Sequence, residues 1–293
     1  MSARSLQHSI EYAAVRGAMA AAAALPLAAA QNIGAGAGAL AFDVFRVRRE
    51  VTVDNIERAL GVPRAEAVRI GRRAYHNLGR SLFEFAAFAR FTREDVQELV
   101  AIEGAEHLHA ALAKGRGMVF VTGHHGNWEL VGAALTVLGL PTDFLIGQQA
   151  NGRVDEVMNG LRSRQGVGLI TRQLALRKVM QSLAANRIVA LLADQDARSQ
   201  GIMVDFLGRP ASTVRGPALF AVRRGCPLCT GFIHREGRRH RVVFNPPFYP
   251  PDLPEEDAVR ELTQAHAEAL ARQIRAYPDE YFWPHRRWKT KSL

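Results

Sequence analysis

Cysteine is scarce in this chain of 293 residues, which has only Cys226 and Cys229. Two thiols three positions apart exclude a fold supported by disulfides and favour a reducing compartment. Their spacing is that of a redox motif or half a zinc site, but no second pair accompanies them. We therefore predict that both are structural residues at the start of a buried strand.

The absence of a nucleophile motif and the small number of acidic residues limit the reactions and partners that the sequence suggests. The chain has no Gly-x-Ser-x-Gly segment and no cysteine in a reactive context, which disfavours a covalent seryl or cysteinyl intermediate. Acidic residues are outnumbered 28 to 38, so the net charge is +10 and the pI is about 10.4. This balance favours an anionic partner, such as phosphate, nucleic acid, an acidic carrier protein or an anionic bilayer.

A long uncharged run occupies residues 17–42, and 13 of these 26 residues are alanine. Its length suffices to cross a bilayer. However, alanine contributes little transfer energy, Pro26 interrupts the run, and alternating glycines weaken a helix. We therefore expect residues 1–45 to form an apolar helical segment that anchors weakly or lies at a membrane interface, ahead of a domain over 46–293. A cleaved leader ending within 25–30 is the alternative.

The remaining sequence alternates helical and strand-like patterns. An apolar stripe predicts a helix over about residues 55–91. The later segments predict strands and two intervening helices: strands 118–121, 143–146, 188–192, 227–233 and 242–244, and helices 128–138 and 154–164. This order predicts an α/β domain with a largely parallel sheet flanked by helices, and the chemistry is expected past the carboxyl ends of the strands.

The first of these strands runs directly into Thr122-Gly-His-His-Gly-Asn-Trp-Glu129. If His124 lies in the glycine-flanked turn and Glu129 in the first turn of the next helix, the two side chains can meet. A carboxylate bonded to one imidazole nitrogen leaves the other nitrogen as a general base. We therefore predict a catalytic pair of His124 and Glu129. A metal site that adds His125 is the alternative, although adjacent histidines point in different directions.

These residues resemble the His-x4-Glu motif of the bacterial lipid A biosynthesis acyltransferases, within the wider glycerolipid acyltransferase superfamily. The likeness extends to four later blocks in the same order: Leu161–Gly166, Leu192–Gln195, Val204–Thr213 with Gly216-Pro217, and Tyr281–Lys289. The family implies a glycerolipid-acyltransferase-like α/β fold. It also implies transfer of a fatty acyl group from a thioester, on acyl carrier protein or coenzyme A, to a lipid hydroxyl without a cofactor or a metal.

The resemblance also implies site residues and a location. The expected substrate-binding residues are Arg162, His125, Asn127, Asp194 and Gln195, and Arg162 or backbone amides would stabilise the oxyanion. Asp194 and Gln195 would contact substrate or support the loops and Arg162. The acceptor would be a lipid A precursor, and the alternative would be a phosphatidylinositol mannoside or another lysolipid. The implied site is the inner (cytoplasmic) membrane, with the catalytic domain facing the cytoplasm.

Two further segments carry expectations of their own. Residues 205–210 are predicted to form a loop over the site, shaped by glycine and proline. The basic residues after position 285 lie beside tryptophans, an arrangement typical of a membrane surface: Arg286, Arg287, Lys289 and Lys291, with Trp283 and Trp288. A metal-dependent hydrolase and a nucleic-acid-binding module stay open, although the second explains only the charge and we expect no nucleic acid partner.

Overall fold

The computed structural model describes residues 3–171 and 175–290. Its helices are α1 (Ala3–Ala24), α2 (Leu27–Asp43), α3 (Arg49–Leu60), α4 (Arg64–Ala87), α5 (Arg93–Leu99), α6 (Ala105–Leu112), α7 (Trp128–Val137), α8 (Gly152–Arg164), α9 (Ala175–Ala184), α10 (Gly216–Arg224) and α11 (Glu255–Ala276). Its strands are β1 (Val100–Glu103), β2 (Met118–Thr122), β3 (Thr142–Ile146), β4 (Gly168–Thr171), β5 (Ile188–Leu192), β6 (Ile202–Phe206), β7 (Arg209–Thr213), β8 (Leu228–Glu236) and β9 (Arg239–Phe244).

The central sheet has seven strands in the order β1-β9-β8-β2-β5-β3-β4. All of its pairings are parallel except β8 with β9. Side chains of β2 alternate between two apolar clusters, with Val119 and Val121 in one and Met118 and Phe120 in the other. A parallel sheet buried on both faces is the expected result of βαβ connections. The predicted α/β domain with a mainly parallel sheet flanked by helices is confirmed.

The helix predicted over residues 55–91 is two helices. α3 ends where Gly61 adopts φ +65°, and Pro63 precedes α4. Glycine in the left-handed region closes a helix, and the residue before a proline avoids helical conformation. The apolar stripe therefore continues across the interruption between the two helices.

The segment predicted to be a loop over residues 205–210 is the turn of an antiparallel hairpin formed by β6 and β7. Leu207 and Gly208 take positive φ at the turn, and the Gly208 N–H donates to Asp205 Oδ1 over 3.2 Å. The Asp205 N–H donates to Gln264 on α11. The loop prediction was wrong because the short apolar alternation around the turn forms strand pairs.

The uncharged N-terminal run forms the last eight residues of α1 and all but the last residue of α2, and α2 packs closely on α4. A Cβ added at Gly38 would lie 1.9 Å from the Tyr75 carbonyl oxygen, and one added at Gly34 would lie 2.4 Å from that of Gly79. The glycines that weaken an isolated helix thus permit backbone contact between two helices. Within the described ranges, no helix is both long enough and apolar enough to cross a membrane.

Both cysteines lie in the interior, as predicted for structural residues. Cys226 precedes β8 and Cys229 lies within it, and both thiols are free and fully buried. Burial raises the pKa of Cys226 to about 11 and that of Cys229 to about 12. Neither thiol is a thiolate near neutral pH, so neither is suited to nucleophilic chemistry.

Candidate active site

The turn between β2 and α7, residues 123–127, lies at the carboxyl end of the sheet. Gly126 takes φ +57°, and a Cβ there would lie 2.3 Å from the Ile233 carbonyl oxygen. Residues 280–290, the closing segment, hold this turn from the other side. The Gly126 N–H donates to the Glu280 carbonyl over 2.8 Å, and the Phe282 N–H donates to the His124 carbonyl over 2.9 Å. The turn is therefore fixed to the closing segment by two backbone hydrogen bonds and lies against β8 on its other side.

His124 is oriented by Asp194, which follows the neighbouring strand β5. The imidazole Nδ1 lies 2.8 Å from Asp194 Oδ1, and the His124 backbone N–H donates to Oδ2 over 3.1 Å. The His124 side chain is 19% exposed, whereas that of Asp194 is 3% exposed. With Nδ1–H donating to the carboxylate, Nε2 is left as the basic nitrogen.

The charges of this pair shift both titrations. Burial alone would lower the pKa of His124, but the Asp194 carboxylate outweighs burial, so the pKa is raised. Burial would raise the pKa of Asp194, and the His124 charge and hydrogen bonds reverse this and lower it to about 2. Asp194 is therefore ionised at neutral pH and stabilises an imidazolium when His124 takes up a proton.

Glu129 is bonded to Arg162 rather than to His124, which corrects the predicted pairing. Arg162 Nε donates to Glu129 Oε2 over 3.0 Å and its Nη2 donates to Oε1 over 2.6 Å, while Nη1 donates to Asn159. Burial would lower the pKa of Arg162, but the Glu129 bonds raise it. The planar guanidinium matches a carboxylate in two places. Glu129 thus holds Arg162 beside the imidazole, where both charges affect the titration of His124.

His125 points away from the site, contrary to its predicted role in binding substrate. Its side chain is buried, with Nδ1 2.9 Å from the Ile233 carbonyl oxygen and Nε2 3.1 Å from that of Tyr277. Burial lowers its pKa to about 4, so the ring is neutral. A neutral imidazole has one N–H, so His125 donates to one of these carbonyls, in β8 or at the end of α11, and lies against the other. The metal site considered for His124, His125 and Glu129 is not assembled, because the three side chains turn to different partners.

Asn127 also belongs to the support rather than to the substrate surface. Its amide donates to Glu84 Oε2 over 2.8 Å, inside a buried cluster. The same carboxylate accepts bonds from Arg235 and Gln31 and lies 3.0 Å from His240 Nε2. Burial would raise the pKa of Glu84, but His240 and Arg235 lower it. The cluster joins α2, α4, β8 and β9 to the first residue before α7.

Asp194 and Gln195 occupy different environments in the structure. Both oxygens of Asp194 contact His124, whereas Arg162 is bonded to Glu129 and Asn159. Gln195, the next residue, is exposed at the same end of the sheet. Asp194 was predicted to lie near the chemistry, but the role of orienting His124 was predicted for Glu129.

The closing segment forms part of the site, which was not predicted from the sequence. Trp283 and Arg287 were predicted to lie at a membrane surface, but each is 1% exposed and lies in the interior. Arg286 and Lys289 are exposed. Lys291 lies outside the described residues. The Phe282 ring lies 5.9 Å from that of His124, and Trp128 lies 4.9 Å away on α7. The mixture of aromatic and basic residues in the sequence did not distinguish a membrane surface from a buried wall.

Comparison with known proteins identifies relatives over most of the chain. The phosphatidylinositol mannoside acyltransferase of Mycobacterium tuberculosis strain H37Rv is 28% identical over 255 residues, which cover 80% of this chain and 75% of that one. The lipid A biosynthesis lauroyltransferase of Escherichia coli K12 is 24% identical over 274 residues, covering 91% and 87%.

A crystal structure of the 1-acyl-sn-glycerophosphate acyltransferase PlsC from Thermotoga maritima aligns with 84% of this chain and 99% of that one, with a TM-score of 0.41 and 16% identity. The family described as bacterial lipid A biosynthesis acyltransferase matches residues 2–290. The curated relatives are named as acyltransferases. The chain therefore belongs to the bacterial lipid A biosynthesis acyltransferase family and is an enzyme that transfers acyl groups.

Proposed function

We propose that this enzyme transfers a fatty acyl chain from an acyl thioester to a hydroxyl of a membrane glycolipid, with His124 as general base. The single observation that carries the proposal is the 2.8 Å contact between His124 Nδ1 and Asp194 Oδ1 at the end of β2 and β5. It leaves Nε2 to accept a proton from a hydroxyl. The base pair is thus His124 with Asp194, not His124 with Glu129.

The transfer is direct in this proposal. His124 Nε2 takes the hydroxyl proton as the oxygen forms a bond to the thioester carbonyl carbon, and the carbon–sulfur bond then breaks. The imidazolium returns the proton to the departing thiolate, so the enzyme ends in its starting state. A thioester is already activated, and neither buried cysteine is placed to attack it.

Arg162 is proposed to stabilise the negative charge that develops on the carbonyl oxygen. Its guanidinium is anchored by Glu129 and Asn159, yet its side chain is 14% exposed and retains further N–H donors. Positive charge held in place before the reaction lowers the barrier more than a mobile side chain does. Glu129 supports the reaction by fixing Arg162.

The acceptor class is proposed from the relatives. They are named for lipid A biosynthesis and for phosphatidylinositol mannoside, both of which are glycolipids. A lipid A precursor is the first candidate because the family match spans the chain, and a phosphatidylinositol mannoside or another lysolipid is the alternative. Acyl carrier protein is the first candidate donor, since an acidic carrier suits a chain of net charge +10, and coenzyme A is the alternative.

Association with the cytoplasmic face of the inner membrane is proposed from one exposed surface. The N-terminal apolar surface consists of Ile33, Leu40, Val44, Phe45 and Val47, each about half exposed or more. Arg46 and Arg48 are exposed among them, and apolar residues with interleaved arginines suit an anionic interface. Arg48 also donates to the Pro284 carbonyl, so this surface adjoins the closing segment and the site.

The test uses the purified full-length enzyme with lauroyl and palmitoyl thioesters of acyl carrier protein and coenzyme A. Each donor is paired with a lipid A precursor or a phosphatidylinositol mannoside in vesicles, and mass spectrometry detects the acyl ester. We expect product with at least one pair, no effect of a chelator, and a loss of about 10²- to 10⁴-fold in His124→Ala. His109→Ala, at an exposed histidine on α6, is the matched control. Full activity in a folded His124→Ala variant would rule out the proposed base.

A further inference from the structure

A small enclosed cavity joins the catalytic carboxylate to the closing segment. Its volume is about 10 Å³, close to the space of one water molecule. Its polar lining comes from Thr122, Asp194, Thr213, His266 and Arg287, and the rest is apolar. The space between Asp194 and Arg287 is thus too small for bulk solvent, so charges facing it are weakly screened.

Arg287 is a buried cation with an unusual set of partners. Its guanidinium donates to the Ser212 carbonyl over 2.5 Å and to the Thr213 hydroxyl, and its centre lies 4.9 Å from the Phe206 ring. Across the part of the chain that the structure describes, its Nε has no hydrogen-bond partner. Burial lowers the pKa of Arg287, while Tyr281, Asp194 and Asp196 oppose that shift. A cation held this way costs free energy unless a negative charge nearby compensates it.

Several other titratable groups surround the pair formed by His124 and Asp194. Those facing His124 and Asp194 are Glu129 on α7, Arg162 on α8, and Tyr281 and His285 in the closing segment, while His266 on α11 and Asp196 after β5 face Arg287. Burial raises the pKa of Tyr281 and lowers those of His266 and His285, so all three are neutral at neutral pH. Arg162 is paired with Glu129. Among the described residues, Arg287 is the cation that lines the cavity together with Asp194. Its hydrogen bonds go to Ser212 and Thr213 and not to a carboxylate.

We propose that Arg287 is a positioning residue for the reaction. Across the shared cavity, its buried cation favours the state in which Asp194 is a carboxylate while His124 is a neutral imidazole. That state accepts the proton of the attacking hydroxyl, so this inference rests on the proposed function. Arg287 acts through Asp194 and does not touch substrate.

The charge of Arg287 determines the direction in which the apparent pKa of the His124 and Asp194 pair shifts when Arg287 is replaced. Losing its last proton takes the His124 and Asp194 pair from net charge zero to net charge −1, and a nearby cation stabilises the second state. Removing the cation therefore raises the apparent pKa of the pair, whichever residue holds the shared proton. With partial screening through the protein, we expect a rise of about one pH unit.

The experiment titrates His124 by NMR in the full-length protein with isotope-labelled histidine, where the His124 signal is assigned by its loss in His124→Ala. Arg287→Met and Arg287→Gln remove the charge, and the second keeps an N–H donor for Ser212. Arg287→Lys keeps the charge. Arg286→Met, at the adjacent exposed arginine, is the matched control for charge.

We expect a midpoint about one pH unit higher in the two neutral variants, a midpoint near wild type in Arg287→Lys, and no shift in Arg286→Met. An unshifted midpoint in a folded neutral variant with lowered thermal stability would overturn the proposal and leave Arg287 only a structural role. If neither neutral variant folds, a rise of about one unit in Arg287→Lys would overturn it equally.

The titration needs no substrate, so it separates this inference from the proposed function. Absence of acyl transfer by the wild-type enzyme would reject the function while the midpoint shift stood. Where transfer is measured, the ascending limb of kcat/KM against pH should move in the same direction as the midpoint.

Discussion

Asp194→Asn offers the sharpest test of the catalytic pair, because it removes the charge and nearly preserves the shape. The carboxylate lies 2.8 Å from His124 Nδ1. At an effective dielectric constant of about 20, an imidazolium and a carboxylate at that distance attract by about 6 kcal/mol, which sets an upper bound. The amide can also donate to Nδ1 and so select the wrong tautomer. We therefore expect kcat to fall by about 10²- to 10⁴-fold, or about 3 to 5 kcal/mol.

The pH dependence of kcat/KM gives a second, independent test of the role of Asp194. In the wild-type enzyme Asp194 raises the pKa of His124, so the ascending limb of kcat/KM should lie above the ordinary range of histidine. Without the carboxylate, burial dominates and lowers the pKa of His124. The limb should then move to lower pH even though the plateau falls.

The assay is ester formation by mass spectrometry between about pH 5 and 9, a range that brackets the titration of histidine. Asp196→Asn makes the same change two residues away, where the carboxylate accepts from Thr290 rather than from His124. We expect it to keep most activity. An Asp194→Asn plateau close to wild type with an unmoved limb would refute the assignment of Asp194 as the orienting partner.

Three further outcomes follow from other contacts. Arg162→Lys should lower kcat/KM by about 10- to 100-fold, since lysine keeps the charge but loses the paired bonds to Glu129; steady-state kinetics will measure this. Gly38→Ala should lower the free energy of unfolding by about 1 to 3 kcal/mol, because its Cβ would overlap the Tyr75 carbonyl, and thermal melting will report it. Phe45→Asp should weaken binding to anionic vesicles by about tenfold or more in flotation assays, since an exposed aromatic ring that would enter the bilayer interface is lost.

Matched variants make these outcomes specific. Arg164→Lys changes an exposed arginine on the same helix and should leave kcat/KM intact. Gly36→Ala meets no atom within 4 Å and should stabilise the protein slightly, so a loss equal to that of Gly38→Ala would contradict the packing explanation. Leu253→Asp replaces a half-exposed apolar residue elsewhere, and equal loss of vesicle binding there would show that Phe45 has no special role.

Local pattern was enough to predict the sheet and the position of His124. Continuous apolar runs such as β2 and β5 identify buried strands, and the glycine-flanked turn after β2 indicates a site. The short strands β1 and β4 lie outside these runs and were not predicted. β1 pairs with β9, 140 positions further along the chain, whereas β4 pairs with the preceding strand β3 but is only four residues long.

The partner of His124 could not be predicted from spacing. Glu129 is five positions away and Asp194 is seventy, yet β2 and β5 are adjacent in the sheet and bring Asp194 to the imidazole. Strand order is a property of the whole fold. The same reason explains Arg287, whose basic, aromatic neighbourhood suits a membrane surface equally well until burial is known.

The backbone bonds between the catalytic turn and the closing segment have a consequence for biosynthesis. His125 lies at the carbonyl of Tyr277, 152 residues further along, and the Phe282 N–H bonds the His124 carbonyl. During translation, the strands and His124 leave the ribosome well before these partners exist. The nascent chain should therefore remain inactive until residues beyond 282 have emerged. Premature termination before that point should yield a species that contains His124 and Asp194 and yet has no assembled site.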